Sequence, residues 1–112
     1  MKTILVIDDE KAIRKMMTMM LKEKYNVLLA ENGAEGIHLA QNNNIDLVIT
    51  DIQMPGITGN EVCKKIQEIN PDIKTIGMSG TPWLMNDGLF DHTFEKPFSV
   101  KDVYDKIREL LA

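Results

Sequence analysis

Short apolar runs alternate along the chain with longer segments in which apolar residues recur every three or four positions. The short runs are typical of strands buried on both faces of a sheet, and the longer segments are typical of amphipathic helices. Strands are predicted at residues 4–7, 27–30, 45–51, 73–78 and 93–94, and helices at 11–24, 33–40, 59–69 and 100–111.

This alternation predicts a doubly wound α/β fold, with a five-stranded parallel sheet, right-handed crossovers and helices on both faces. Asn70 and Pro71 end the third helix, because the residue before a proline is disfavoured in helical conformation. Ser99 is expected to cap the last helix. Residues 80–91 break the pattern, since Pro82 and Gly88 interrupt a segment that is already too short for a full fourth helix.

Size and composition indicate a single domain over residues 1–112, with no effector domain expected. The chain is 44% hydrophobic and 27% charged, as ordinary globular domains are. Its net charge of −4 argues against direct binding of nucleic acid. Cys63 is the only cysteine, and no stretch approaches the length of a membrane span. A cytoplasmic location is therefore expected.

Polar and charged side chains follow four of the predicted strands. Asp8 and Asp9 follow the first strand, Asp51 ends the third, Ser79 follows the fourth and Lys96 comes after the fifth. Ligands of open α/β sheets bind beyond the carboxyl ends of the strands, so one crevice could gather all five groups. Each residue alone has an ordinary explanation, such as a helix cap, a turn or a loop hydroxyl. The conjunction favours a functional site.

The acidic loop that begins with "DDE" at residues 8–10 indicates a cation site. A phosphate cradle would need glycines at the N-terminus of a helix, and carboxylates repel phosphate there. Clustered hard oxygens suit Mg²⁺, which one or two carboxylates can hold together with waters and a substrate oxygen. Mg²⁺ and Lys96 together would balance the formal charge of Asp8, Asp9 and Asp51.

Four motifs carry a resemblance to a known family: "VIDDE" at 6–10, "LVITDIQMPGITG" at 47–59, "MSG" at 78–80 and "EKPF" at 95–98. With these motifs the whole chain resembles the CheY-like receiver domains of two-component response regulators. The resemblance implies a flavodoxin-like sheet of order 2-1-3-4-5. It also implies that a sensor histidine kinase or a phosphotransfer protein is the phosphoryl donor and that an unidentified protein is the target.

The resemblance further assigns roles at the site. Asp51 would accept the phosphoryl group, and Lys96 would pair first with Asp51 and then with that group. Ser79 would donate a hydrogen bond to a phosphoryl oxygen. Mg²⁺ would be held by Asp9 directly and by Asp8 through water.

Three further features follow from the same resemblance. Asp51 and the backbone carbonyl of Gln53 would complete the metal site, and the Lys96–Pro97 peptide would be cis. The side chains of Gln53 and Thr81 would flank the phosphoryl group and influence its lifetime. Self-phosphorylation and slow self-dephosphorylation at Asp51 would then be the only chemistry, so the chain is not expected to be an enzyme with a released product.

Two departures from the family pattern concern the output. Thr93 stands where family members usually carry a switching tyrosine or phenylalanine, with His92 and Phe94 beside it. Only sixteen residues separate Ser79 from Lys96, and the deficit falls on the fourth helix. Trp83, Leu84 and Met85 in this segment are interpreted as apolar filler for the gap, with an exposed binding patch or a lid over the site as the alternatives.

Other hypotheses remain open at this point. A degenerate receiver that binds partners without phosphorylation would keep the fold but would take up no phosphate. A phosphohydrolase with a nucleophile on the first strand is disfavoured, because Glu10 stands where that family carries a second aspartate. In the methionine-rich segment "KMMTMM" at 15–20, core packing of Met16, Met17 and Met20 is favoured over a partner surface, with Met19 at the flank.

Overall fold

A computed structural model describes residues 1–81 and 88–112, which form one α/β unit. The strands and helices follow one another in the order β1 (Thr3–Ile7), α1 (Lys11–Leu21), β2 (Asn26–Ala30), α2 (Gly33–Asn42), β3 (Leu47–Asp51), α3 (Gly59–Ile69), β4 (Lys74–Ser79), β5 (His92–Glu95) and α4 (Val100–Leu110). The strands that were predicted from apolar runs are therefore present, with ends that differ by one or two residues.

All five strands are parallel, and their order across the sheet is β2-β1-β3-β4-β5. This order confirms the predicted doubly wound fold. The interior strand β1 pairs with β2 on one side and with β3 on the other, so that Ile4 lies between Val27 and Leu47. The direction of winding changes between β1 and β3, and the carboxyl ends of these strands therefore form the ligand-binding edge of such sheets.

Alternate residues of the buried strands supply two cores. In β1, Ile4 and Val6 face the core beneath α1 and α4, whereas Leu5 and Ile7 face the core beneath α2 and α3. All four side chains have no exposed surface, which explains why the strand reads as a continuous apolar run. Two packed cores hold the sheet, and its carboxyl edge is left for polar residues.

Helix caps show how the sequence sets several boundaries. The Ser99 side chain accepts a hydrogen bond from the backbone N–H of Asp102 at 3.3 Å, which confirms the cap predicted for α4. Asn32 and Thr58 cap α2 and α3 in the same way. Glu10 is the residue before α1, and its side chain makes no capping hydrogen bond. Asp9, for which a helix cap is one ordinary explanation, is therefore not the N-cap residue of α1.

Helix α1 ends at Leu21, three residues earlier than expected, because Lys24 and Tyr25 both donate backbone hydrogen bonds to the Leu21 carbonyl and turn the chain into β2. Its methionines pack as predicted: Met17 is buried, and Met19 is 65% exposed. In α4, Val100 is 41% exposed, so it does not join the buried face with Val103.

No helix forms in the described residues between β4 and β5. Phe90 is buried and packs beside Ile52 and Cys63. The Gln67 side chain donates a 2.9 Å hydrogen bond to the Leu89 carbonyl. The predictions for Trp83, Leu84 and Met85 fall outside the described residues and stay predictions.

The end of this segment is also tied to β4. The Asp91 carboxylate accepts a 2.8 Å hydrogen bond from the Thr75 backbone N–H, and the Thr75 hydroxyl accepts one from the Asp91 N–H at 3.2 Å. These backbone and side-chain hydrogen bonds hold the residue before β5 against β4. They take the place of the packing that a helix would provide in this segment.

Candidate functional site

The loop after β1 is built around Asp8, which is fully buried. Its backbone N–H continues the sheet by donating to the Ala30 carbonyl, and its carboxylate accepts a 2.8 Å hydrogen bond from the Glu10 N–H. The guanidinium of Arg14 donates a 2.8 Å hydrogen bond to the Asp8 carbonyl. Asp8 is thus held at the carboxyl end of β1 through its backbone by Ala30 and Arg14 and through its side chain by the Glu10 N–H.

Asp51 is the last residue of β3 and is only 6% exposed. The next residue is fixed on both sides: Ile52 donates its N–H to the Met78 carbonyl at 2.9 Å, and its carbonyl accepts from the Gly59 N–H at 2.8 Å. A side chain at Gly59 would place its Cβ 2.3 Å from the Asp51 carbonyl oxygen. Glycine is therefore required there for α3 to begin directly against the backbone of Asp51.

Lys96 reaches the same cleft from the loop after β5. Its backbone N–H donates to the Ser79 carbonyl at 2.8 Å, and the peptide to Pro97 is cis, as the resemblance implied. Its ammonium nitrogen lies 3.5 Å from an Asp51 carboxylate oxygen and 3.4 Å from an Asp8 carboxylate oxygen. The predicted pairing of Lys96 with Asp51 is present in the structure.

The carboxylates form a cluster that suits a hard cation. One oxygen from each of Asp8, Asp9, Glu10 and Asp51 lies within 4.8 Å of the others. Oxygen ligands of this kind, two of them buried and two exposed, fit Mg²⁺ together with water. The donor set therefore fits the predicted ion, and the roles of the individual ligands, including the Gln53 carbonyl, stay predictions.

Burial and charge act in opposite directions on these groups. Desolvation raises the pKa of Asp8 above its ordinary value, although the Glu10 N–H and Lys96 partly offset the effect. Desolvation likewise raises the pKa of Asp51, against the opposing influence of Lys96. For Lys96, burial acts to lower the pKa, but the carboxylates of Asp8, Asp51 and Glu10 raise it overall. The Lys96 ammonium is charged at neutral pH. Because several carboxylates face this single ammonium, binding of a further cation in the cleft is favoured.

Hydroxyl and amide groups form the wall beside β4. Ser79 is fully buried, and its hydroxyl accepts a 2.8 Å hydrogen bond from the Thr81 N–H. The hydroxyls of Ser79 and Thr81 lie 3.0 Å apart, and the Thr81 hydroxyl donates to the Gln53 side-chain carbonyl at 3.2 Å. These contacts join three of the predicted site residues. Thr93 lies farther along the sheet, on β5 opposite Gly77.

Two residues at the site received no role from the sequence. Glu10 contacts the Lys96 ammonium at 3.2 Å, and Arg14 braces the loop of Asp8 while lying 3.5 Å from Glu31. The position of Glu10 directly after Asp8 and Asp9 is the sequence feature that could have indicated its contact with Lys96. Nothing in the pattern of charges distinguished Arg14 from other basic residues on the surface of α1.

Comparisons with known proteins agree with this geometry. The family model of the response regulator receiver domain matches residues 4–108. Over 96% of this chain and 47% of the relative, the sequence is 37% identical to the transcriptional regulatory protein ResD of Bacillus subtilis. It is 36% identical to histidine kinase P4 of Formosa agariphila over 97% of this chain and 8% of that protein. The chain spans about half the length of ResD and a much smaller share of the length of the kinase.

Solved structures give the same result. The response regulator TrrA of Thermotoga maritima, crystallised with Mg²⁺ and BeF, superimposes with a TM-score of 0.89 at 36% identity, over 99% of this chain and all of that one. A CheY-like receiver domain protein of Methanospirillum hungatei superimposes with a TM-score of 0.91 at 29% identity, over 99% and 94% of the two chains. Within the described residues, no helix is long and apolar enough to cross a membrane.

Proposed function

We propose, from the premise that this chain belongs to the family of response regulator receiver domains, that it is a phosphoryl-accepting switch of a two-component pathway, modified on Asp51. The donor is a phosphohistidine on a sensor kinase or a phosphotransfer protein, and the output is contact with another protein. One observation carries the proposal: Asp51 is almost buried, faces the Lys96 ammonium at 3.5 Å and shares its cleft with Asp8 and Asp9.

The transfer itself asks little of the protein beyond position and charge. A carboxylate oxygen of Asp51 attacks the phosphorus atom, the phosphorus–nitrogen bond of the phosphohistidine breaks, and the imidazole keeps the electron pair. Lys96 balances the charge of the carboxylate before transfer and that of a phosphoryl oxygen after it. Ser79 supplies a buried hydroxyl on the opposite wall, which can donate to a second phosphoryl oxygen.

Asp8, Asp9 and Asp51 are the side chains proposed to hold Mg²⁺, with the Gln53 carbonyl as a further ligand. When bound, the ion supplies positive charge that offsets the repulsion between the acids and an approaching phosphoryl group. Gln53 and Thr81, joined by a hydrogen bond at the rim, are proposed to control access of water to the modified Asp51 and thus the lifetime of the phosphoryl group.

The direct test is intact mass after incubation with acetyl phosphate, with and without Mg²⁺. We expect a single phosphoryl adduct that requires Mg²⁺ and is absent from Asp51→Asn. Asp46→Asn is a useful control variant, because Asp46 accepts a hydrogen bond from the Thr3 N–H at the opposite, amino edge of the sheet. It should form the adduct normally.

An adduct that persists in Asp51→Asn, or that forms equally well after removal of Mg²⁺, would contradict the proposal. If neither acetyl phosphate nor a phosphorylated kinase modifies the folded protein, the chain is instead a receiver that binds partners without phosphorylation.

A further inference from the structure

The Lys96 ammonium lies among three carboxylates. Its nitrogen is 3.2 Å from Glu10, 3.4 Å from Asp8 and 3.5 Å from Asp51. An ammonium has three N–H donors, so it can donate a hydrogen bond to each of the three carboxylates. Asp8 and Asp51 are buried, whereas the Glu10 side chain is 59% exposed. Glu10 is thus the nearest partner of Lys96 and the one on the solvent side.

Both ends of this pair are fixed at the backbone. The Glu10 N–H is bound by the Asp8 carboxylate at 2.8 Å, and the Lys96 N–H is bound by the Ser79 carbonyl at 2.8 Å. Exposed ion pairs are usually weak, partly because two long side chains must be ordered. Here the two side chains start from anchored positions on facing loops, and that entropic cost is smaller.

The pair also stands at the mouth of the cleft. Glu10 and Lys96 line one end of an open groove of about 430 Å³, whose remaining walls are apolar: Ile13, Met16, Pro97 and Phe98. Glu10 therefore gives the ammonium a third partner on the side of this groove, in addition to the buried oxygens of Asp8 and Asp51. Those two oxygens belong, with Asp9 and Glu10 itself, to the cluster that fits a divalent cation.

We propose that Glu10 is a positioning residue, which holds the Lys96 ammonium at the mouth of the cleft and keeps the Asp8 and Asp51 oxygens available to Mg²⁺. Without Glu10, the ammonium has only the two buried carboxylates as partners and competes with the ion for them. This role rests on the proposed function, because it concerns loading of the same cleft, but the binding of Mg²⁺ can be measured without any phosphoryl transfer.

The test is calorimetric titration of Mg²⁺ into the wild-type protein, Glu10→Gln and Glu10→Asp. The aspartate variant keeps the charge and shortens the side chain by one methylene, so it separates the reach to Lys96 from the charge itself. We expect Kd to rise about two- to five-fold in Glu10→Asp, which is the range of an exposed ion pair. Glu10→Gln should weaken binding at least as much.

The same substitutions in a Lys96→Gln background complete the test as a double-mutant cycle. We expect Glu10→Asp to leave the Mg²⁺ affinity unchanged there, because no ammonium remains to be positioned. Glu95→Gln is the matched control: it removes a neighbouring exposed charge, and among the described residues no ion pair joins Glu95 to Lys96. It should leave Kd within experimental error. Thermal unfolding of each metal-free variant checks that the fold is retained.

A wild-type Kd in Glu10→Asp would show that only the charge matters and would overturn the proposal. So would an effect of Glu10→Asp that persists with Lys96→Gln, since Glu10 would then act on the ion itself. In the adduct assay, the Mg²⁺ concentration for half-maximal uptake should rise by the same factor. Normal Mg²⁺ binding without any adduct would overturn the proposed function alone, whereas no Mg²⁺ binding by the wild type would overturn both.

Discussion

The two sides of the cleft are built by different means. The side formed by the ends of β1 and β3 carries charge, with Asp8 and Asp51 buried beside each other. The side formed by the ends of β4 and β5 carries neutral groups: the Ser79 hydroxyl, a chain of hydrogen bonds through Thr81, and Phe90 packed beneath. One ammonium, that of Lys96, comes from the second side and balances the first.

The difference separates ligand binding from structural support. On the acidic side, burial raises the pKa of both aspartates, which means that it disfavours their ionised forms. A cation bound nearby would stabilise those ionised forms. On the neutral side, polar groups are satisfied locally. Among the described residues, no buried side-chain nitrogen or oxygen lacks a hydrogen-bond partner. Substitutions on the acidic side should therefore alter the response to cations, whereas substitutions of the packed apolar residues on the neutral side should mainly alter stability.

The largest effect is expected from Phe90→Ala. Phe90 is 8% exposed, and its ring carbon would lie 3.1 Å from a Cβ built on Gly77, so it packs closely against β4. Removal of a buried aromatic ring should lower the free energy of unfolding by about 3 kcal/mol. Urea unfolding followed by circular dichroism measures this change.

Mg²⁺ affinity provides the comparison for the same variant. Under native conditions, Phe90→Ala should bind Mg²⁺ as the wild type does, because Phe90 packs in an apolar cluster with Ile52 and Cys63. Phe94→Ala, on β5 and in the core beneath α1 and α4, is the control, and its cost in unfolding free energy should be smaller because Phe94 is only partly buried. A large loss of Mg²⁺ affinity in folded Phe90→Ala would show that the two sides are not independent.

The next effect is expected from Gly59→Ala, which acts on the acidic side. The added Cβ would meet the backbone of Asp51 and Ile52 at 2.3 and 2.7 Å, and backbone cannot move aside as a flexible side chain can. We expect a loss of about 2–3 kcal/mol, the upper range for an overpacked site. Since Asp51 must shift, Mg²⁺ affinity and phosphoryl uptake should fall as well.

Gly80→Ala is the matched control on the neutral side. Among the residues that the structure describes, a Cβ there would meet nothing within 4 Å, and stability should change by less than about 0.5 kcal/mol. Equal losses for the two alanine variants in urea unfolding would contradict the close approach of α3 to Asp51.

The sequence predicted the acidic side better than the neutral one for a physical reason. The strands that carry Asp8 and Asp51 are continuous apolar runs, and charges at their ends stand out because such charges are costly to bury. Phe90 gave no comparable signal, since its burial depends on contacts with Ile52 and Cys63 that are distant in sequence.

The contact between Glu10 and Lys96 was hidden for a similar reason. These residues are 86 positions apart, and only the folded loops bring them together. The end of α1 was predicted three residues too late, because apolar periodicity does not register the turn that leads into β2.

A smaller effect of opposite sign is expected from Asp51→Asn in the absence of Mg²⁺. The pKa of Asp51 is raised in the folded protein, so folding favours its neutral form and the ionised form reduces stability at neutral pH. A neutral asparagine removes this cost. We expect the free energy of unfolding and the midpoint of thermal unfolding to increase.

The gain should shrink as the pH falls through the raised pKa of Asp51 toward its ordinary value of 3.8, because the wild-type side chain then becomes neutral too. Saturating Mg²⁺ should reverse the order of the two proteins, since the wild type gains the binding energy of the ion. Lower stability of the metal-free asparagine variant at neutral pH would mean that the pair with Lys96 outweighs the cost of burial.

The smallest effect is expected from His92, on β5, where the sign of the pH dependence is reversed. Burial lowers the pKa of His92, Lys106 lowers it further and Glu109 partly offsets both; the ring also packs edge-on against Phe94 at 4.6 Å. The unfolded chain therefore binds more protons between the lowered pKa and about 6.5, and stability contributed by neutral His92 is lost as the pH falls through this window. His92→Gln should flatten the dependence of the unfolding free energy on pH there. Protonation of His92 would then lower the stability of the folded protein, whereas protonation of Asp51 would raise it. The slopes of unfolding free energy against pH should therefore change in opposite directions in His92→Gln and Asp51→Asn, as measured by urea unfolding at several pH values. An unchanged slope in His92→Gln would mean that the pKa of His92 is the same in the folded protein as in the unfolded chain.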